Sequence, residues 1–333
     1  MGKLAAEELR KLLSCIRRDA RVVVPPMPGY DSGVHLMGDK YLVVATDPCI
    51  GVPEEWFGWL LIHYAASDVA LSGAKPEFCA INLLAPPKTK LEVFHTIMRQ
   101  VCGAADELDM AIVRGHTGTY DGLSKILGVC TAYGTVAKES LITPAKAEAG
   151  DLILCTKPVG LETLVNFSLT HKVLAHRLLG TKEVEKMPEL VKMQSCVRQA
   201  LLLAKTGVVH AMHDATEGGL VAALNEVAEA SKLGFEVQFE KFPVSAGVLT
   251  LQENFRLSDE QLLSMSSTGT IIAAVDSEAR EKVEAMLVKN DFSGSFLGFF
   301  TKEKNRVLVK KGRRMPFPRI ADDPYERILS GKV

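Results

Sequence analysis

The sequence has no long uninterrupted apolar run and no excess of charge of one sign. Its 333 residues carry 39 Lys and Arg against 40 Asp and Glu, a formal net charge of −1. No stretch approaches the ~18 apolar residues of a membrane-spanning helix, and no basic, apolar leader with a cleavage site precedes the first helix-like segment. Balanced charge also argues against nucleic-acid binding. We therefore expect a cytoplasmic protein that binds neither membranes nor nucleic acids.

The cysteines have no pattern of disulfide or metal-binding pairs. The seven cysteines are odd in number and none forms a CxxC pair. Dispersed cysteines are typical of a reducing compartment, where the residue serves as a small apolar side chain.

The two common phosphate-binding loops are also missing. Gly33 and Gly38 have the spacing of a Walker A motif, but Asp39 stands where that motif needs lysine. No GxGxxG segment follows a predicted strand. A nucleotide, if one binds, would be held by neither loop.

The chain does contain alternating strand-like and helix-like segments over a length sufficient for two domains. In the first half, strands are predicted at 41–46, 78–85, 111–114 and 126–136, with helices at 57–72 and 90–108. In the second half, strands are predicted at 152–155, 208–212, 235–239, 270–275 and 306–309, with helices at 160–179, 189–206, 220–230 and 278–289. The pattern predicts an α/β (α+β) protein with domains at 1–147 and 148–333. The last residues, polar and rich in proline, are expected to lie on the surface.

Three aspartates occupy positions at or within apolar segments. Asp31 follows a Pro/Gly turn, Asp47 follows the strand YLVVAT, and Asp68 lies in the apolar helix 57–72. Taken singly, they could be a turn former, a strand terminator and one half of a buried ion pair. If they converge, their carboxylates would form a hard-oxygen site suited to Mg²⁺ and a phosphate-bearing substrate.

The segment Gly115-His116-Thr117 follows the predicted strand 111–114. Glycines with small hydroxyl residues after a strand can bring backbone N–H groups onto a phosphate. A plain β-turn would have the same composition, so both interpretations stay open.

The segment HDATEGG leads from a predicted strand into a helix that begins near Leu220. Asp214 and Glu217 are spaced as a capping box. Capping does not account for Gly218 and Gly219, since glycine weakens a helix. Glycine is expected where another backbone or a ligand comes too close for a Cβ, and a helix N-terminus can bind an anion. Zinc binding is disfavoured, because odd spacing places His210 and His213 on opposite faces of a strand.

Together these segments resemble the aminoimidazole-ribonucleotide-synthetase (PurM-like) superfamily, closest to its hydrogenase-maturation branch. The resemblance rests on PGYDSGV, ATD at 45–47, AASDVALSGAKP at 65–76, GHT at 115–117, HDATEGG and LSMSSTGTIIAAV at 263–275. It implies two α/β domains and a homodimer whose N-terminal sheets form a barrel. It also implies ATP and Mg²⁺ as cofactors, and transfer of a phosphoryl group to an oxygen of a small substrate.

Carried over by position, the resemblance implies site residues in both halves of the chain. Asp31, Asp47 and Asp68 would hold Mg²⁺ and the phosphates, and Gly115, His116 and Thr117 would lie beside them. Asp214, Gly218 and Gly219 would face the nucleotide from the second domain. Asp68 and His116 are the candidate catalytic residues.

Two departures from the pattern bear on function. The cyanide-forming members end in Pro-Arg-Ile-Cys, whereas Pro318-Arg319-Ile320 is followed here by Ala321. Those members also carry aspartate where this chain has His116. The expected function is ATP- and Mg²⁺-dependent activation of an oxygen on a small substrate without cyanide formation, with a hydrogenase-maturation protein as an expected partner. The alternative is a nucleotide-binding assembly or sensor protein without turnover.

Overall fold

The computed structural model describes residue 4 and residues 6–332. The described chain divides into two compact units. The smaller unit comprises Ile16–Pro26 and Asp31–Leu141, and the larger comprises the chain from Ile142 onward, Met27–Tyr30 and the residues up to Cys15. Each unit is a β-sheet with helices, which confirms the predicted α/β class. The domain boundary at 147/148 stays a prediction.

The smaller unit is built on a six-stranded sheet in the order β1-β2-β3-β6-β4-β5. The strands are β1 (Val22–Val24), β2 (Gly33–Met37), β3 (Lys40–Ile50), β4 (Phe78–Ala85), β5 (Ala111–Thr119) and β6 (Leu127–Ala137). β5 pairs parallel with β4, and the other neighbours are antiparallel.

Two helices, α2 (Phe57–Leu71) and α3 (Leu91–Glu107), accompany this sheet. All of α2 except Tyr64 is buried, since the helix packs against β3 and β6 as well as against α3. Gly128 on β6 permits the approach, because a Cβ there would lie 2.9 Å from Leu61. Burial alternates strictly along β6, so every second residue faces away from α2.

The larger unit is built on a seven-stranded sheet in the order β13-β12-β9-β11-β7-β10-β8. The strands are β7 (Leu152–Cys155), β8 (Val209–Asp214), β9 (Gly234–Gln238), β10 (Ile271–Val275), β11 (Ser295–Thr301), β12 (Arg306–Lys310) and β13 (Arg313–Pro316). β12 pairs parallel with β9, and the other pairs are antiparallel. β10 is buried along its whole length, as its sequence IIAAV predicts.

Many helices accompany this sheet. They are α1 (Ala6–Leu13), α4 (Leu161–Thr170), α5 (Lys172–Leu179), α6 (Thr181–Val184), α7 (Met187–Leu190), α8 (Val197–Lys205), α9 (Gly219–Ala230), α10 (Ala246–Asn254), α11 (Asp259–Ser264), α12 (Arg280–Lys289) and α13 (Tyr325–Leu329). No helix among the described residues is long and apolar enough to cross a membrane.

Several predicted elements differ from the structure at their ends. The strand predicted at 41–46 continues through Asp47 and Pro48 to Ile50. Pro48 is tolerated because β2 pairs with β3 only up to Val44, so one edge of β3 is open beyond that point. The helix predicted at 160–179 is two helices that meet at His171.

Most C-terminal residues are exposed or half-exposed, as expected, but the segment is anchored by buried side chains that the sequence did not predict. Phe317 and Ile328 are buried to about 1% exposure or less, and α13 forms between Tyr325 and Leu329. Two apolar anchors among polar residues and prolines make no periodic signal in the sequence. The tail is therefore a surface segment anchored to the larger unit by these side chains.

Candidate functional site

Asp31 and Asp68 lie on neighbouring parts of the smaller unit. Asp68 is on α2 and buried to 9% exposure. Ser72 follows directly after this helix, and its Oγ lies 2.7 Å from the Oγ of Ser32. This hydrogen bond ties the residue after Asp31 to the end of the helix that carries Asp68. The sequence did not single out either serine, because a lone Ser before a strand has no readable signal.

Asp47 lies in the middle of β3 rather than at its end, so its interpretation as a strand terminator is wrong. It is directly opposite Cys130 on β6. The neighbouring Cys79 thiol, burial and the Asp47 carboxylate all raise the pKa of Cys130. Cys130 is therefore a protonated thiol, a poor ligand for any metal.

The candidate donor atoms of the smaller unit are of the kind that suits a hard cation. Asp31, Asp47 and Asp68 offer carboxylate oxygens, and Ser32 and Ser72 offer hydroxyl oxygens. Mg²⁺ prefers oxygen ligands of this kind. The residues thus fit the ion that the resemblance implies, while its ligation by the three aspartates stays a prediction.

Gly115, His116 and Thr117 lie within β5 and not in a turn. The strand extends from Ala111 to Thr119, so the β-turn interpretation is wrong. β5 is the edge strand of its sheet, and its outer backbone groups have no partner strand within that sheet. His116 is exposed, and its Nε2 lies 2.5 Å from the hydroxyl of Tyr120. The groups that could bind a phosphate here are backbone amides of this edge strand, and not the amides of a loop.

In the larger unit, Asp214 is the last residue of β8 and is buried to 3% exposure. It is opposite Ile271 on β10, the strand that β7 flanks on its other side. Lys157 follows β7, and its ammonium donates hydrogen bonds to the carbonyls of Met193 and Ser195, each at 2.7 Å. Burial lowers the pKa of Lys157 to about 8, while the Asp214 carboxylate opposes that shift. A cation and an anion are therefore buried at the same end of this sheet.

The start of α9 differs from the predicted capping box. The N-cap is Gly218, and no side chain caps the helix, so the assignment of Asp214 and Glu217 as capping residues is wrong. Gly218 and Gly219 have φ values of +80° and +54°, in the region that favours glycine. A Cβ on Gly219 would lie 2.4 Å from the carbonyl oxygen of Met265. The sequence predicts that either a ligand or another backbone segment comes close to these glycines. In the structure, the backbone of Met265 comes close to Gly219.

The same helix start is contacted by the C-terminal tail, which the sequence analysis missed. The N–H of Gly218 donates to Oδ2 of Asp323 at 2.9 Å. The hydroxyl of Ser266 donates to the same oxygen at 2.7 Å. A Cβ on Gly218 would also lie 2.9 Å from the Cβ of Ala321, the position where the resemblance expects cysteine. No sequence signal links residues 105 positions apart, so this contact needed the fold.

A second carboxyl group, that of Glu162, belongs to this region. Glu162, in the first turn of α4, accepts a hydrogen bond from the hydroxyl of Thr268. Burial raises the pKa of Glu162 to about 7, and the nearby carboxylates of Glu217 and Asp323 add to that shift. Burial likewise raises the pKa of Asp323. Glu162 and the tail residue Asp323 are therefore two carboxyl groups whose pKa values are raised by burial.

The two histidines of the HAMHD segment have separate partners, in line with their expected opposite orientation. Nδ1 of His210 lies 3.0 Å from both carboxylate oxygens of Asp151. Nε2 of His213 lies 2.7 Å from a carboxylate oxygen of Glu226 on α9. Each imidazole is therefore oriented by a carboxylate on a different part of the larger unit.

All seven cysteines lie in the described part of the chain, and none of them is in a disulfide there. Cys49, Cys79, Cys130, Cys155 and Cys196 are buried, while Cys15 and Cys102 are exposed. The buried thiols serve as small apolar groups, as their dispersed spacing predicts.

The two α/β units and their sequence segments define the class of protein. Residues 29–136 match the N-terminal domain of the AIR synthase related proteins, and residues 148–311 match the C-terminal domain of the same proteins. The chain belongs to the AIR synthase related protein family. The resemblance to the PurM-like superfamily is therefore confirmed.

Several relatives of this chain are hydrogenase-maturation proteins by name. A Methanocaldococcus jannaschii protein named for hydrogenase expression and formation is 26% identical over 306 residues, 87% of this chain and 88% of its own length. The carbamoyl dehydratase HypE of Bradyrhizobium diazoefficiens is 28% identical over 74% of this chain and 70% of its own length. A selenide, water dikinase of Bdellovibrio bacteriovorus is 26% identical over 93% of this chain and 87% of its own length. Relatives in this family are thus named as enzymes.

Solved structures share the fold. Escherichia coli HypE superimposes with a TM-score of 0.74 at 23% identity, covering 86% of this chain and 88% of that one. HypE in complex with ATP gives 0.72 at 20% identity, with 87% and 88% coverage. HypE in a HypE–HypF complex gives 0.72 at 18% identity, with 86% and 93% coverage. These likenesses confirm the PurM-like fold.

Proposed function

We propose that the protein is an enzyme that uses ATP and Mg²⁺ to phosphorylate an oxygen of a small substrate. The observation that carries the proposal is the buried carboxylate of Asp68 on a largely apolar helix whose end is tied to Ser32. Burial of a carboxylate is costly unless it interacts with a cation or with hydrogen-bond donors. A buried carboxylate in a largely apolar helix is therefore a candidate for a functional site.

Each candidate residue then has a role that its position allows. Asp31, Asp47 and Asp68 hold Mg²⁺, which neutralises phosphate charge, and Gly115 and Thr117 offer edge-strand amides to the phosphates. His116, held by Tyr120, donates a hydrogen bond to a phosphate or substrate oxygen. In the larger unit, further contacts with the nucleotide are made by Asp214, Gly218 and Gly219.

The proposed reaction is one phosphoryl transfer. The substrate oxygen attacks the terminal phosphorus of ATP, a new P–O bond forms, the bond to the bridging oxygen breaks, and ADP leaves. Where the substrate oxygen carries a proton, that proton is released to the solvent. Among the relatives, the names carbamoyl dehydratase and selenide, water dikinase support ATP-linked activation of a small molecule. HypE in complex with ATP supports a nucleotide site on this fold.

We also propose that the active form is a homodimer joined through the smaller unit. The face of its sheet that points away from α2 is apolar and half-exposed, with Val44, Val129 and Tyr133 among its residues. Thr46 and Thr131 hydrogen-bond on this face at 2.9 Å, and Phe78 stacks on Tyr133. Such a surface is typical of a protein interface, and a second copy of this chain is the partner that the resemblance implies.

A second candidate function is a nucleotide-binding assembly or sensor protein without turnover. Ala321 favours it, because its methyl group lies beside Gly218 at the position where the resemblance expects a reactive thiol. The HypE–HypF complex supports a maturation protein as the partner in either case.

Substrate-stimulated ADP formation separates the two candidates. The purified protein is incubated with Mg-ATP and a panel of small amides, carboxylic acids and alcohols, and ADP is measured over many turnovers. The enzyme proposal expects at least one compound to raise the rate about tenfold or more over the basal rate, a barrier change of about 1.4 kcal/mol. Slow ADP release that no compound alters would support the assembly or sensor protein instead.

A further inference from the structure

We propose that the larger unit has a binding site for a phosphate group, formed by Arg306 at the start of β12 and Arg319 in the C-terminal segment. The ligand is inorganic phosphate or the phosphoryl group of a small phosphomonoester, since both present the same kind of oxygens. The site needs neither ATP nor Mg²⁺, so it is independent of the proposed function.

One buried amide ties the segments of the two arginines together. Asn225, on α9, is 7% exposed. Its Oδ1 accepts a hydrogen bond from Nη1 of Arg306 at 2.5 Å, and its Nδ2 donates to the carbonyl of Pro318 at 2.8 Å. Nδ2 also donates to the carbonyl of Val221 at 2.7 Å, which fixes the orientation of the amide. Arg306 and the residue before Arg319 are therefore held by opposite ends of one side chain.

The backbone brings the same two segments together. The N–H of Phe317 donates to the carbonyl of Arg306 at 2.8 Å. The Phe317 side chain is 1% exposed and packs edge-on against the ring of Phe235. The chain just before Arg319 is thus anchored beside the start of β12. A site that is already assembled loses less entropy when a ligand binds.

Positive charge at this place is only partly compensated. Burial lowers the pKa of Arg306, and the neighbouring guanidinium of Arg319 lowers it further. The carboxylate of Glu229 opposes that shift, but it already pairs with Arg10 on α1. Arginine stays charged at neutral pH in any protein environment, so the two guanidinium groups repel each other. An anion beside both of them relieves that repulsion.

The hydrogen bonds of both guanidinium groups are incomplete. Arg306 is half-buried, and its enclosed Nε has no hydrogen-bond partner within the described chain. Arg319 is exposed, and no hydrogen bond or ion pair holds its guanidinium among the residues that the structure describes. A guanidinium has five N–H donors. The pair therefore keeps donors that the protein itself does not use.

The number and placement of the donors indicate the class of ligand. A carboxylate has two oxygens, and a single guanidinium fork can bind both of them. Two guanidinium groups on separate segments can bind different oxygens of a tetrahedral phosphate. Phosphate recognition is also a common role of arginine, whose planar fork matches the spacing of the phosphate oxygens.

Calorimetry on the full chain tests the site, with EDTA present so that no metal site contributes. The ligands are inorganic phosphate, glycerol phosphate and acetate. The proteins are wild type, Arg319→Ala, Arg306→Gln and the control Arg313→Ala, which removes an exposed arginine from β13 of the same sheet. We expect wild type and the control to bind phosphate alike, and Arg319→Ala and Arg306→Gln to bind it about tenfold or more weakly.

The ligand series separates the two sources of the phosphate group. Tighter binding of inorganic phosphate or of glycerol phosphate identifies the preferred source, and either result supports the site. Acetate that binds as tightly as phosphate would overturn the assigned ligand class. No phosphate binding by wild type, or equal binding by wild type and Arg319→Ala, would overturn the site and leave the proposed function intact.

A measurement on the wild type covers the case in which Arg306→Gln folds poorly. Phenylglyoxal modifies accessible arginines, and mass spectrometry gives the modification rate of each one. Phosphate should slow the modification of Arg319 several-fold and leave that of the exposed Arg313 unchanged. Equal slowing at both arginines, or no slowing at Arg319, would overturn the proposal.

Discussion

The hydroxyl oxygens of Ser32 and Ser72 lie 2.7 Å apart, and both side chains are buried. Ser72 directly follows the helix that bears Asp68, and Ser32 follows Asp31 in the chain. The bond therefore joins two segments of the smaller unit that each carry a proposed metal ligand. It is therefore a local constraint on the separation of the Asp31 and Asp68 carboxylates.

Removal of this bond should weaken both stability and nucleotide binding. Ser72→Ala leaves the buried hydroxyl of Ser32 without this partner, which costs about 1–3 kcal/mol. We expect a lower melting temperature and a several-fold weaker affinity for Mg-ATP. The control is Thr96→Ala, which removes an exposed hydroxyl bond to the carbonyl of Glu92 on α3. A Ser72→Ala variant that melts earlier but binds Mg-ATP like the wild type would show that the bond is structural only.

The raised pKa of Glu162 predicts how stability changes with pH. Burial raises this pKa from 4.5 to about 7 in the folded protein. Between these values the unfolded chain loses the proton first, so this group lowers stability as pH rises through the window and the loss is complete above about pH 7. Glu162→Gln removes the effect and should stabilise the protein at pH 8 by about 3 kcal/mol, with little change at pH 4.

Thermal or urea unfolding at the two pH values measures this difference. Glu284→Gln is the control, because Glu284 is an exposed residue paired with Arg280. It should change stability little at either pH. A Glu162→Gln variant that is less stable than wild type at pH 8 would contradict the account, since it would mean that the ionised carboxylate is favourably paired.

Gly219 should be intolerant of any side chain. Gly219→Ala places a Cβ 2.4 Å from the carbonyl oxygen of Met265 at a φ of +54°, and we expect a loss of about 2–4 kcal/mol. Gly207→Ala is the matched control, because Gly207 has a φ of +68° with nothing within 4 Å of its added Cβ. The control should lose only the backbone cost of about 1–2 kcal/mol. Equal losses in urea unfolding would mean that the close approach at Gly219 costs nothing.

The proposed dimer predicts a charge-sensitive surface on the smaller unit. Val129→Glu places a charge in the half-exposed apolar face of the sheet, where its desolvation would oppose association. We expect sedimentation velocity to show a dimer for the wild type and a monomer for this variant. Val288→Glu makes the same change at a side chain that is 75% exposed in the larger unit, and it should remain dimeric. A monomeric wild type, or a dimeric Val129→Glu, would reject this interface.

Regular elements were predictable from the sequence because their periodicity is local. The strands at 78–85 and 152–155 and the helices at 57–72 and 90–108 agree with β4, β7, α2 and α3 to within about one residue. The end of β3 was not predictable, since it depends on where β2 stops pairing. The end of β5 was not predictable either, because Gly115-His116-Thr117 has the composition of a turn although it lies in a strand.

The site was predictable only in part. Aspartates in apolar segments stand out in a sequence, so Asp47 and Asp68 could be selected without a fold. The capping interpretation of Asp214 and Glu217 failed because the turn before α9 is set by backbone contacts with Met265, far away in the chain. Asp323 was missed for the same reason, since its partner Gly218 is brought to it by the fold of the larger unit.

The most direct test of the central claim is calorimetry with Mg-ATP on the wild type, on Asp68→Asn and on Asp39→Asn. Asp68→Asn keeps the shape of the buried side chain and removes the charge that would bind the metal, whereas Asp39 lies exposed in the turn between β2 and β3. The account predicts Mg-dependent binding by the wild type and Asp39→Asn, and a loss of about tenfold or more in Asp68→Asn, equivalent to 1.4 kcal/mol. Equal binding by all three proteins, or no binding by the wild type, would contradict it.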